Sequence, residues 1–189
     1  MVTMSASAAR LASRLSQFCG ERRAVAAVEF AMLLPVLVSL YLGCVELSRG
    51  IAADRKVTLV AHTVADLATQ FTDIANSDMS NILNASAAIM APYAASSLQA
   101  VVSELAIDAK GNATVVWSDT LNGTSRTPGQ TVTIPSTLAV PNTYLVLGET
   151  TYNYNPVFGY VITGTLTLTD KIYMQPRQSV CVTRNGTGC

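Results

Sequence analysis

Residues Val25–Val45 read VAAVEFAMLLPVLVSLYLGCV, and this stretch decides how the chain is organised. Its only charge is Glu29. At about 1.5 Å of rise per residue, a helix of this length spans the roughly 30 Å hydrocarbon core of a bilayer. A core helix of a soluble domain seldom runs so long without polar breaks, so residues 25–45 read as a membrane-spanning helix. The whole chain has 189 residues, of which 50% are hydrophobic and 13% charged. Soluble domains carry roughly 25% charged residues, and the apolar run accounts for much of the difference.

The flanks set an orientation. Before the run stand Arg10, Arg14, Arg22 and Arg23 against Glu21; after it Glu46, Arg49, Asp54, Arg55 and Lys56 nearly balance. The positive-inside rule puts the N-terminus in the cytoplasm and the remainder outside it, in the periplasm or beyond. Two alternatives stay open: a secretory signal peptide with a long basic region, and a lipoprotein site at Tyr41-Leu42-Gly43-Cys44 with Cys44 acylated. Lys+Arg and Asp+Glu number 12 each, for a net charge of zero. That argues against disorder and against nucleic-acid binding, which normally needs a basic excess.

Beyond the membrane run the helical period continues. Val57, Val60, Val64, Leu67 and Phe71 recur at alternating spacings of three and four, a single apolar stripe. Asp54, Arg55, Asp66 and Asp73 lie off it. The spacing predicts one helix from about Ala24 to about Gln70, with two helices broken at Gly50 as the alternative. Pro35 lacks a backbone donor and crowds the preceding turn, so a kink or local loosening is expected there.

The rest changes period. Asn76–Asp78 reads as a capped turn and Met79–Ala91 as a short helix ending at Pro92. Strands are expected at Leu98–Ile107, Ala113–Asp119, Thr143–Tyr154 and Tyr160–Met174, with Val132–Val140 irregular. The fold class is α+β: a long N-terminal transmembrane helix continuing into a soluble domain with an antiparallel sheet of about four strands. The stripe on the helix and one face of the sheet would bury each other. Residues 1–24 form a cytoplasmic basic leader, 25–45 the transmembrane helix, 46–75 its extramembrane continuation and 76–189 a periplasmic α+β domain.

Of four cysteines, Cys181 and Cys189 close the short segment CVTRNGTGC. Outside the cytoplasm they can oxidise, and Asn185-Gly186 supplies the turn. A disulfide is expected; two free thiols are the alternative. Cysteine spacing disfavours zinc. His62, the single histidine, has no partners that suggest catalysis. Tyr144, Tyr152, Tyr154, Tyr160 and Tyr173 read as strand packing or as a partner surface. The Asn-x-Ser/Thr triplets at Asn84, Asn112, Asn122 and Asn185 read as incidental. No phosphate loop, Cys-x-x-Cys pair or dinucleotide fingerprint is present. Neither a catalytic, cofactor nor metal site is expected, and the chain reads as a non-enzyme.

Arg22-Arg23-Ala24-Val25-Ala26-Ala27-Val28-Glu29-Phe30 places basic residues, a small residue and then an apolar helix with Glu at its fifth position. This resembles the leader of type IV pilins. With AVEFAMLLPVLV and Val45-Glu46-Leu47-Ser48-Arg49-Gly50, it more closely resembles the TadE-like family, pseudopilins of the tight-adherence (Tad, Flp) pilus. The resemblance covers roughly Arg22 to Asp66, about a quarter of the chain. It implies cleavage by a prepilin peptidase between Ala24 and Val25, leaving Glu29 fifth and Phe30 sixth. The family usually has Gly where this chain has Ala24, which leaves processing open.

A carboxylate within an apolar helix is expensive and by default functional. Glu29 could pair with the freed Val25 amine of a neighbouring subunit and so set register; a Glu reaching interfacial water is the alternative. The expected partners are the inner membrane, other pilins and pseudopilins, prepilin peptidase and the Tad inner-membrane platform. The expected role is a minor pseudopilin or assembly factor. An uncleaved membrane-anchored periplasmic adaptor is the first rival, and a membrane-tethered enzyme the second.

Overall fold

The structure, a computed structural model, describes residues 22–157, 159 and 163–189. It forms two compact units, one ending at Glu46 and one running from Leu47 to Cys189. Helix α1 (Arg22–Thr69) is 48 residues long and is unbroken through Pro35 and Gly50. One helix, rather than two, is therefore present. A single glycine costs only about 1 kcal/mol in a helix, and the stripe that follows Gly50 repays it by burial.

That stripe is wider than its large residues suggest. Ala53, Val57, Val60, Ala61, Val64, Ala65 and Ala68 are all fully buried, with Leu67 and Phe71 packed beside them. The alanines let the helix backbone approach the sheet closely. After it come β1 (Asp73–Ile74) and helix α2 (Asn76–Met90). Helix α2 starts three residues earlier than Met79 because Asp78 Oδ2 accepts the Ala75 backbone N–H at 3.2 Å, closing the first turn.

The remaining strands are β2 (Leu98–Ile107), β3 (Ala113–Leu121), β4 (Thr131–Val132), β5 (Thr143–Tyr154), β6 (Leu166–Met174) and β7 (Thr183–Arg184). They build a five-stranded antiparallel sheet of order β4-β3-β2-β5-β6 and a separate parallel β1-β7 pair. The sheet thus has five strands where about four were expected. The extra one, β4, is two residues long and lies in the stretch read as irregular; Val132 pairs with Ala113 and covers the sheet's second apolar cluster. Strand β6 begins at Leu166 rather than Tyr160, and residues 160–162 lie outside the described set.

Period-two alternation assigns the faces. Leu98, Ala100, Val102 and Glu104 of β2, with Val146, Tyr152 and Tyr154 of β5, are buried on the helix side. Leu105, Ile107, Leu145 and Leu147 fill a second cluster on the other face. In β3 the pairing slips by one residue, so that Glu104 faces Trp117 while Leu105 faces Val115. This bulge lets two odd-numbered residues of one strand, Trp117 and Val115, serve opposite faces.

Candidate functional site

Residues 25–41 of α1 are exposed. Val28, Met32, Val36 and Leu40 are 61–75% exposed, and Phe30, Leu33 and Leu37, at other helical phases, are also exposed. Apolar side chains exposed on every side of a helix are costly in water and suit lipid or other helices. By length and composition this helix could cross a membrane. Glu29, on an early turn, is exposed and is the only acid of the run. Pro35 lies inside the helix, and the Ser39 hydroxyl donates to the Pro35 carbonyl at 2.8 Å. The leader residues 1–21 lie outside the described set, as does the side chain of Ala24; Val25, Glu29 and Phe30 all lie on α1.

The C-terminal segment is stapled to the sheet. A disulfide joins Cys181 to Cys189. Between them, Val182 is held from both sides: its N–H donates to Glu104 Oε1 at 3.1 Å, and its carbonyl accepts from Trp117 Nε1 at 2.7 Å. Gly188 packs against Trp117 and Val116 with φ +115°, a backbone conformation that favours glycine. Arg184 pairs with Asp119 at 2.9 Å and donates to the Ile74 carbonyl at 3.0 Å. The Thr183 hydroxyl and the Gly186 N–H both donate to Asp73, which holds its carboxyl below the ordinary range.

Glu104 is a buried acid of the second unit. Burial pushes its carboxyl up to about 8, against the smaller opposing pull of the Val182 N–H. The group is therefore protonated over most of the neutral range. Sequence reasoning missed it, although a signal was available: Glu104 shares strand parity with Leu98, Ala100 and Val102, which places a carboxyl on an apolar face.

A cavity of about 520 Å³ opens beside α1. Arg49, Tyr93, Ser97, Tyr152, Asn153 and Asn155 are among its lining residues. The Tyr93 hydroxyl donates to the Arg49 carbonyl at 3.0 Å and ties the segment after α2 to the helix. The Tyr93 ring meets Tyr152 and Tyr154 edge-on, with centroids 6.4 and 6.2 Å away. Burial and the neighbouring phenols raise the Tyr152 pKa. Tyr152 and Tyr154 are packing residues, as their strand positions suggested. The cavity itself joins residues from three separate segments, and no local motif announced it.

Among the described residues no group of three His, Cys, Asp or Glu is placed to hold a metal ion. His62 is exposed on α1.

Comparison with known proteins yields one relationship. A family model described as TadE-like protein matches residues 24–66. Searches of curated proteins and of solved structures find no match. The matched span lies within α1, covering the exposed apolar half and most of the buried stripe. The TadE-like family is a pilus-assembly family and not an enzyme family. Residues 24–66 of this chain are thus similar to the TadE-like family.

Proposed function

We propose that this protein is a minor pseudopilin or assembly factor of a Tad-type pilus, anchored in the inner membrane by residues 25–45 with its N-terminus in the cytoplasm. The observation that carries the reading is the coincidence of the TadE-like segment with a helix whose apolar residues face outward on all sides. In the fibre or its base, that surface would pack against other pilin helices. Glu29 would pair with the amine of a neighbouring, processed Val25. Both charges are costly when unpaired in hydrocarbon, so the pair would penalise subunits out of register.

A second reading is supported by Ala24, which stands where the family usually has Gly. On that reading the leader is retained and the protein is a permanent periplasmic adaptor of the same machinery. The mature N-terminus separates the two. Mass spectrometry of protein from its native membrane is expected to find Val25 first. Retention of Arg22 and Arg23 would overturn the pseudopilin reading and leave the adaptor.

A further inference from the structure

One edge of the five-stranded sheet is covered and the other is bare. On the covered edge, β4 pairs with Ala113 and Thr114 of β3, and Val115 exchanges backbone hydrogen bonds with Gly129 and Gln130 at 2.7 and 2.9 Å. On the other edge stands β6, nine residues long, and among the described residues no backbone group outside β5 bonds to it. An uncovered edge offers its row of donors and acceptors to an extended segment of another chain.

The Lys171 N–H donates to the Asp170 side chain at 2.8 Å, which turns it away from the ladder with β5. Bonded and unbonded pairs alternate along an antiparallel strand, so Thr167, Thr169, Lys171 and Tyr173 form the outer edge. The even-numbered side chains face α1. Leu168, Ile172 and Met174 are half-buried against the helix-side cluster, and Leu166 is 40% exposed. A cavity of about 280 Å³ joins this row to the flank of α1, lined by His62, Thr63, Asp66, Leu67 and Met174. Leu59, one turn before Thr63, is exposed. An added strand would find backbone partners at its side and apolar side chains to cover. All of these residues belong to the unit running from Leu47 to Cys189.

Asp170 is the exception in that row. It is a half-buried carboxylate between Leu168 and Ile172. The ion pairs among the described residues are Arg126–Glu149, Arg177–Asp66 and Arg184–Asp119, and none supplies Asp170 with a cation. Thr150, opposite Asp170 in β5, is 1% exposed and its hydroxyl also lacks a partner. A second copy of this chain does not supply the missing charge. Opposed residues of an antiparallel pair are both bonded or both unbonded across the junction, so in a two-fold pairing of β6 with itself even positions meet even positions. Those positions hold Leu166, Leu168, Asp170, Ile172 and Met174, with no cation among them. The register that matches Leu168 with Ile172 and Leu166 with Met174 sets Asp170 against its own copy, and like charges directly opposed are destabilising.

We propose that β6 is the docking edge for an extended segment of a different protein chain, one whose inward row carries a Lys or Arg with apolar side chains two residues away on each side. The basic residue pairs with Asp170, the apolar residues cover Leu168 and Ile172 beside α1, and the backbone extends the sheet by one strand.

The test uses the full chain in detergent and labelled peptides of the length of β6. The first alternates Thr and Val, with Lys at the central inward position; the second has Glu there; the third has the sequence of residues 166–174. Fluorescence anisotropy reads affinity, and hydrogen exchange over residues 166–174 reads the place of binding. The lysine peptide is expected to bind about 5-fold more tightly than the glutamate peptide and to slow exchange over β6. Asp170→Asn keeps an acceptor for the Lys171 N–H and is expected to abolish the difference, and Asp170→Lys to reverse it. Thr169→Pro removes an outer N–H and leaves the ladder with β5 in place, and is expected to weaken the lysine peptide. Equal affinity for the two charged peptides, or a difference that survives Asp170→Asn, would overturn selection by Asp170. Tightest binding of the third peptide would overturn the different chain in favour of a second copy. Absence of binding, binding without slowed exchange over β6, or undiminished binding to Thr169→Pro would overturn the docking edge.

Discussion

Glu104 Oε1 accepts the backbone N–H of Val182 at 3.1 Å, a contact made across 78 residues of chain. Trp117, opposite Glu104 in the sheet, takes the carbonyl of the same residue. The pair fixes the C-terminal disulfide loop to the centre of the sheet, and it does so with a carboxyl that burial keeps protonated.

Stability is therefore expected to depend on pH through Glu104. The carboxyl ionises near its ordinary 4.5 when unfolded and near 8 when folded. Between those values the folded state holds the extra proton. The stabilisation is full below about pH 4.5 and is lost as pH rises toward 8, by at most about 1.4 kcal/mol per pH unit. Urea unfolding of the full chain in detergent, followed by Trp117 fluorescence at about pH 5 and about pH 7.5, measures this. Glu104→Gln is expected to flatten the slope, and an unchanged slope would assign the pH dependence to other groups.

Gly148→Ala tests the seating of the helix. A Cβ on Gly148 would lie 2.6 Å from the Ala61 carbonyl oxygen and 3.0 Å from the Ala65 Cβ. The first of these is backbone, so helix or strand must move. A loss of about 1–3 kcal/mol is expected, read as a lower urea midpoint with an unchanged slope.

Replacing both Cys181 and Cys189 by Ser removes a cross-link between residues 8 apart. Release of so short a loop is expected to cost about 2–3 kcal/mol. Adding a reductant to the wild type should reproduce the effect and leave the double variant unmoved.

Glu29→Ala is expected to insert into membranes normally, since it removes a charge from an apolar helix. Pilus number counted by electron microscopy should fall. Normal pilus number in that variant would remove Glu29 from any role in subunit register.

The apolar run, the stripe at Val57, Val60 and Val64, and the strands at Leu98–Ile107 and Thr143–Tyr154 were legible because each is a local pattern. An uninterrupted apolar stretch, a spacing of three and four, and a period of two need only neighbouring residues. Boundaries were less legible. Helix α2 starts at Asn76 through a cap on Ala75, a residue with no capping side chain of its own. Strand β4 is too short to show any period and exists because Ala113 offers it a pairing edge.

The candidate site divides the same way. The TadE-like segment is contiguous, so the order of Arg22, Ala24, Glu29 and Phe30 was enough to suggest it. Glu104 was missed although strand parity could have pointed to it, and no local pattern pointed to its partner. The cavity was not legible, because Arg49, Tyr93 and Asn155 come from distant segments and none is distinctive in its own neighbourhood.

The sequence by itself determined where the apolar helix lies, which face of its continuation is apolar, and that the remainder is chiefly strand. Those are consequences of local hydrophobic period. Only the tertiary structure decided that Glu104 and Trp117 hold Val182, that Gly148 meets Ala61, and that Arg49 shares a cavity with Asn153 and Asn155. The physical reason is that these contacts depend on strand order, register and a bulge, which are set by the packing of the whole unit and by no single segment.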